Sequence, residues 1–267
     1  MRAQRRWADA RGVRYDAYGC VRDLADNLCA PLDDAALDDL ARGSELTPSS
    51  ARPARFYSLC SSAALVVNVF DHWRRREAAP LAAALGVQAA SGARLAYEEP
   101  LPTGLTGDPP TVDVALRLAD GRCIAVESKY GEWLVPRPRN KRVFKDKYFS
   151  PGAAVWAAAG LPRCQAFAED LQAGRERLKR VHAAQVLKHA LGLKRSCMPG
   201  SVLVYLYYDR AGREAATHRA ELEHVSERLR PEVDWRVITY QELFAALRAA
   251  PSAARDYVQY LEQRYFA

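Results

Sequence analysis

From Val112 to Val126 bulky apolar residues recur at every second position with charged or small residues between them, interrupted once around Asp120-Gly121. A period of two predicts a pair of strands joined by a tight turn. A two-residue Asp120-Gly121 loop would set Asp113 opposite Ser128, on the face away from Glu127. A three-residue loop, Ala119-Asp120-Gly121 with glycine in the left-handed position, pairs Leu118 with Arg122 and sets Asp113 opposite Glu127. In that register Val112, Val114, Leu116, Leu118, Ile124 and Val126 form a core face. The other face carries Asp113, Ala115, Arg117, Cys123, Ala125, Glu127 and Lys129, with small residues that leave room for a ligand. A slip of one residue would expose the whole apolar set, so the register is well specified.

Elsewhere the spacing is mostly helical. Ala and Leu recur at three- and four-residue intervals over residues 4 to 42, with Pro31 separating two helices. Gly43 to Pro53 is rich in turn formers, so residues 1–50 are expected to be a helical extension on a domain of residues 51–267. Ser58 to Glu77 is an amphipathic helix with Leu65, Val66, Val69, Phe70 and Trp73 on its stripe and Ser61 or Ser62 as cap. Arg94 to Glu98 is a first strand. Periodicity fails from Trp133 to Leu161, and one long helix follows from about Ala166 to Leu193. Ser201 to Tyr208 is a continuous apolar strand suited to burial on both faces. Glu214 to Leu229 is a helix, Trp235 to Thr239 a last strand, and two helices close the chain.

Composition narrows the class. With 267 residues, 49% of them hydrophobic and 27% charged, the chain can bury one substantial core. A net charge of +7 suits a polyanionic partner, although the excess is spread widely. The six cysteines, at 20, 29, 60, 123, 164 and 197, show no Cys-x-x-Cys spacing and no adjacent zinc-ligand histidines. They fit reduced cysteines in a cytoplasmic protein. No signal peptide and no apolar run long enough to span a membrane is present. Phosphate-loop and nucleophile-elbow motifs are absent from the sequence.

The alternating hairpin carries the chemistry. Asp113, Glu127 and Lys129 gathered at one point can hold Mg²⁺ (or Mn²⁺ in its place) and activate water for phosphodiester hydrolysis. Arg137 to Tyr148 is dense in cations with aromatic neighbours. It is either a solvated loop or a substrate-facing one. In the second case Arg139, Lys141, Arg142, Lys145 and Lys147 meet phosphates, and Phe144 or Tyr148 stacks on a base.

The order helix, strand, strand hairpin, helix, strand, together with Asp113 and Glu127-Ser128-Lys129, resembles the PD-(D/E)XK nuclease superfamily, the restriction-endonuclease-like fold. Pro110-Thr111-Val112-Asp113 stands where that family has Pro-Asp, with two residues intervening. The resemblance spans about residues 58 to 208. Ser61 to Phe70, Glu98-Glu99-Pro100-Leu101-Pro102 and Ala184 to Leu193 are similar to an uncharacterised bacterial branch of the superfamily. It implies an α/β fold: a mixed central sheet flanked by helices in the order α-β-β-β-α-β, with an N-terminal helical extension and C-terminal helices. It also implies a Gln or Lys facing the site from the helix after the hairpin, a role Gln185 fits first and Lys188 second. The backbone carbonyl of Ser128 would join Asp113 and Glu127 as a metal ligand. Many members add a Glu from the first core helix. Here Ser58 to Arg76 has none, and Glu98 is the chosen substitute.

The expectation is a metal-dependent nuclease acting on DNA, an endonuclease rather than an exonuclease, in restriction, defence or repair. Its alternative is an inactive nucleic-acid-binding module on the same scaffold. A hydrolase of small phosphate esters would show little salt dependence of substrate binding, unlike a DNA enzyme. A homodimer would serve coordinated cleavage of a palindrome.

Overall fold

The computed structural model describes residues 2–43, 46–48, 54–88, 92–136, 143–150 and 152–266. Five strands form one sheet in chain order: β1 (Arg94–Pro100), β2 (Thr111–Arg117), β3 (Cys123–Lys129), β4 (Val202–Tyr207) and β5 (Asp234–Thr239). The first three run antiparallel and the last two join parallel to β3, so the sheet is mixed. With helices on both faces, this is the α/β restriction-endonuclease-like core.

The hairpin adopts the three-residue turn. Leu118 N–H donates to the Arg122 carbonyl at 2.9 Å, and Gly121 N–H donates back to Leu118 at 3.0 Å. Gly121 has φ +84°, where a side chain would be strained. Val114 therefore pairs with Val126 and Leu116 with Ile124.

Burial on both faces of the sheet shapes the rest. One core joins Leu95, Tyr97, Val114, Leu116, Ile124, Val126, Val204 and Leu206 to helix α3 (Ser62–Arg74). Ser61 caps α3 by accepting from the Ala64 amide at 3.1 Å. Nearly every residue from Ala63 to Trp73 is buried, so the helix is central rather than half-exposed. Helices α1 (Arg2–Ala10), α2 (Asp34–Ala41) and α4 (Ala79–Ala84) come from the N-terminal half; the short α4 has no counterpart in the sequence reading. Helices α8 (Tyr240–Ala249) and α9 (Arg255–Leu261) lie on the α3 side of the sheet.

The second core holds Ala115, Cys123, Ala125, Leu203, Tyr205 and Tyr207 beneath α5 (Pro162–Gln172), α6 (Ala183–Ser196) and α7 (Arg213–Leu229). Ala115 and Ala125 thus make room for packed helices, not for a ligand over the middle of the hairpin. Val112 also falls in this core with Leu101, against the expected alternation.

Two expected helices differ. The single helix from Ala166 to Leu193 is two, α5 and α6. Gly174 ends the first in the left-handed region, at φ +71°. Glu221 of α7 then accepts the Lys179, Arg180 and Val181 amides at 2.7, 2.7 and 2.9 Å. That carboxylate holds the connecting segment out of helix. Residues 4 to 42 also contain less helix than expected. Between α1 and α2 the chain makes isolated bridges, Tyr15 to Val21 and Cys20 to Ser58.

The extension is tied to the chain's far end. Buried Arg264 donates to the Asn27 carbonyl at 2.7 Å, and Gln4 Nε2 donates to the Arg264 carbonyl at 2.7 Å. Asn68 of α3 accepts the Cys29 amide at 2.6 Å.

Candidate active site

The site grows out of two strand registers. Tyr97 pairs with Val114 and Glu99 with Val112, so Glu98 stands across from Asp113. The β2–β3 register, carried one residue past Val114–Val126, sets Asp113 across from Glu127. Glu127 in turn pairs with Tyr205 of β4. Glu98, Asp113, Glu127 and Tyr205 thus form one row across four strands. The row lies at the carboxyl end of β3, where open sheets commonly bind ligands.

Each member is held differently. Glu98 has φ +44°, in the left-handed region that a non-glycine residue enters at a cost of order 1–3 kcal/mol. Its side chain lies against Gly43, where a Cβ would fall 2.7 Å from Glu98 Cδ. Glu99, the other acid at this edge, is bound to Arg117 at 2.9 Å. Asp113 accepts the Ser128 amide at 2.6 Å. Burial pushes its carboxyl well above the carboxylate range, and the Glu127 charge adds to that.

Glu127 is buried, and its Oε1 takes a hydrogen bond and ion pair from the Lys129 ammonium. Burial works against that ammonium, but Glu127 and Asp113 outweigh it and hold Lys129 above the ordinary lysine range. Ser128 points to the opposite face, where its hydroxyl lies 2.6 Å from the Tyr240 hydroxyl.

Gln185 is the third residue of α6, half-buried, with Oε1 3.0 Å from His182 Nδ1. No contact of its amide with the acid row is seen. It lies one helical turn before His189, on the same face. Lys188 is half-buried beside His189, and its charge reaches that ring. Lys145 is exposed; Lys147 Nζ donates to the Thr106 and Asp108 carbonyls at 2.7 and 3.1 Å. Arg139, Lys141 and Arg142 lie outside the described residues. Phe144 and Tyr148 correct the stacking expectation: both are buried against Trp156, at ring distances of 5.4 and 5.5 Å, so neither is free to meet a base.

Three site neighbours escaped the sequence reading. His189 is 1% exposed, with Nδ1 3.4 Å from Glu127 Oε2. Burial lowers its pKa to about 4, against the pull of Glu127. Its setting among Val186, Leu187, Ala190 and Leu191 is the signal that places it on the buried helix face. Tyr205 hid within an unbroken apolar strand; its hydroxyl lies 3.1 Å from Nε2 of buried His218. Glu132 receives a Ser62 hydrogen bond and feels Lys129. Burial alone would raise its carboxyl, but those two interactions, with hydrogen bonds from backbone amides, hold it below the usual range.

The donor set is chiefly oxygen, as hard divalent cations require. Glu127 Oε2 is a buried carboxylate oxygen with no hydrogen-bond partner. Among the described residues no three His, Cys, Asp or Glu side chains close into a cage. A cation that keeps several waters needs only one or two carboxylates, and Asp113 with Glu127 supplies two.

Fold and site together define a restriction-endonuclease-like protein. The chain matches the family described as restriction endonuclease associating with ARP over residues 22–266, and it belongs to that family. No curated protein matches it. No solved structure matches it either. No helix among the described residues is long and apolar enough to cross a membrane.

Proposed function

We propose that this chain is a PD-(D/E)XK nuclease that hydrolyses phosphodiester bonds in DNA with a divalent cation, Mg²⁺ or Mn²⁺. The observation that carries this reading is the row Glu98–Asp113–Glu127 across adjacent strands, with the Lys129 ammonium on Glu127. Asp113, Glu127 and the Ser128 carbonyl are the residues that would hold the cation, with Glu98 at the outer edge. The cation, when bound, supplies Lewis-acid polarisation of the phosphate and a more acidic water.

The chain's own groups do the rest. Asp113 is oriented by the Ser128 amide and so points along the sheet edge towards Glu127. Lys129 extends from the same face of β3 as Glu127, close enough to orient the attacking water and to stabilise negative charge growing on the phosphoryl oxygens. Gln185, at the start of α6, would position that water or a neighbouring phosphate. The cations Arg139, Lys141, Arg142, Lys145, Lys147 and Lys188 would neutralise backbone phosphates. We read the protein as cytoplasmic, as an endonuclease serving restriction, defence or repair, and as a homodimer where paired cuts are made. The family's description adds a partner called ARP.

The test is digestion of supercoiled and linear DNA with and without Mg²⁺, using wild type, Asp113→Asn and Lys129→Ala. Cation-dependent cleavage by wild type, lost about a hundredfold or more in both variants, is the expected result. If wild type binds DNA in a salt-dependent way but cuts nothing, the chain is a binding module and the nuclease reading falls.

A further inference from the structure

We propose that His189 is a nitrogen donor to the cation of this site, so that the site prefers a first-row ion such as Mn²⁺ to Mg²⁺. The proposal rests on the nuclease reading above and deepens it by assigning the ion and an added ligand.

The argument starts from two buried atoms. Glu127 Oε2 and His189 Nδ1 both lie inside the protein, and neither has a hydrogen-bond partner. They face each other at 3.4 Å. The other oxygen of Glu127 is occupied by Lys129. The Thr111 backbone engages the ring, and a neutral imidazole that gives its proton to that partner through Nε2 keeps a lone pair at Nδ1.

The consequence is that a nitrogen lone pair and a carboxylate lone pair confront each other in a dry site. Two buried polar atoms left unpaired are unfavourable. A cation placed between them satisfies both. Two donors about 2.1 Å from one ion stand about 3.0 to 3.4 Å apart as their angle opens from octahedral to tetrahedral. The Thr111 bond meanwhile fixes the ring's orientation and raises its basicity, as partners of metal-bound histidines commonly do. Thr111 opens β2, two residues before Asp113, so one strand end would steer two donors.

An imidazole changes the ion that fits. Mg²⁺ favours oxygen donors and keeps its waters, whereas Mn²⁺ and the other first-row ions give them up more readily for an imidazole nitrogen. The site would therefore discriminate by donor type and not only by charge.

The decisive measurement is pulsed electron paramagnetic resonance of Mn²⁺ added to the full chain, paired with calorimetric titration of Mn²⁺ and Mg²⁺. Wild type, His189→Gln, His189→Ala and Glu127→Gln are compared after thermal melts establish that each is folded. The expected result is a directly coupled nitrogen in wild type that vanishes in both His189 variants. Mn²⁺ affinity should drop about tenfold or more in those variants, with Mg²⁺ affinity changing much less. Mn²⁺ that binds wild type through Glu127 without nitrogen coupling would overturn the His189 assignment and leave the cation site standing. Absence of binding, or binding indifferent to Glu127→Gln, would overturn the nuclease reading as well. The wild-type spectrum decides the nitrogen question even if a variant fails to fold.

Discussion

The Ser128 amide donates to Asp113 Oδ2 at 2.6 Å, across the β2–β3 hairpin. Ser128 itself contributes its side chain to the other face, at Tyr240. One residue therefore locks β3 from both sides, and the alternation of the strand leaves Glu127 and Lys129 facing Asp113. The relationship exists only in the register that the three-residue turn creates.

Two loop variants should test that dependence. Deleting Ala119 leaves a two-residue Asp120-Gly121 loop that still pairs Leu118 with Arg122, so Asp113 stays opposite Glu127, and DNA cleavage and Glu127-dependent cation binding should both persist. Gly121→Ala keeps the loop length but places a side chain at φ +84°, for a loss of about 1–2 kcal/mol in urea denaturation. A Cβ there would also lie 2.9 Å from Met198 Cγ, but Met198 is exposed and can move aside. Cleavage lost in a deletion variant that still folds would sink the register argument.

Gly192→Ala should be the harsher substitution. Its Cβ would fall 2.5 Å from the Leu101 carbonyl oxygen, and backbone cannot yield as a surface methionine does. Helix α6 would be forced away from the segment after β1, at a cost of about 2 kcal/mol or more. The melting temperature should drop further than for Gly121→Ala. Cation binding should weaken too, because the same helix carries His189.

Arg264→Ala should unfasten the two ends of the chain. Its guanidinium is 3% exposed, reaches the Asn27 carbonyl at 2.7 Å and sits 4.3 Å from the Trp7 ring centre. Loss of a buried charge's hydrogen bonds strands several acceptors, for about 3 kcal/mol of destabilisation. Limited proteolysis should then cut first near α1. A variant as protease-resistant as wild type would show the tether to be dispensable.

Stability should decline as pH falls from about 6.5 to about 4. Burial lowers the His218 pKa from 6.5 to about 4, and its ring stacks on Trp133 at 4.5 Å. Between those values the unfolded chain takes up a proton that the folded one refuses, so folding weakens as acid is added. The full contribution is present above about pH 6.5. It amounts to about 3 kcal/mol at most, since one pKa unit is about 1.4 kcal/mol. His218→Phe should reduce the slope in denaturation series taken across that window, with buried His189 and half-buried His72 supplying the rest. An unchanged slope would mean that His218 protonates freely in the fold.

Much of the hairpin was legible because period-two alternation and a glycine turn are local properties. The register could be derived by asking which loop length keeps the apolar set together. The break between α5 and α6 was not legible. It depends on Glu221, some forty residues along the chain, capturing three amides that a continuous helix would have used. The burial of His189 was not legible for a similar reason, since it depends on which face of α6 meets the sheet. Phe144 and Tyr148 looked available to a base because a cation-rich segment carries them, yet Trp156 and Phe149 enclose them.

The sequence by itself determined the strands, their turn and the side of β3 on which Glu127 and Lys129 fall, because these follow from side-chain alternation and backbone sterics over a few residues. Tertiary structure alone decided that Glu98 falls in line with Asp113 and Glu127, that small hairpin residues receive a helix rather than a ligand, and that His189 confronts Glu127 in the dry interior. Those outcomes depend on the packing of elements distant in sequence, where burial of apolar surface, not local propensity, sets the arrangement.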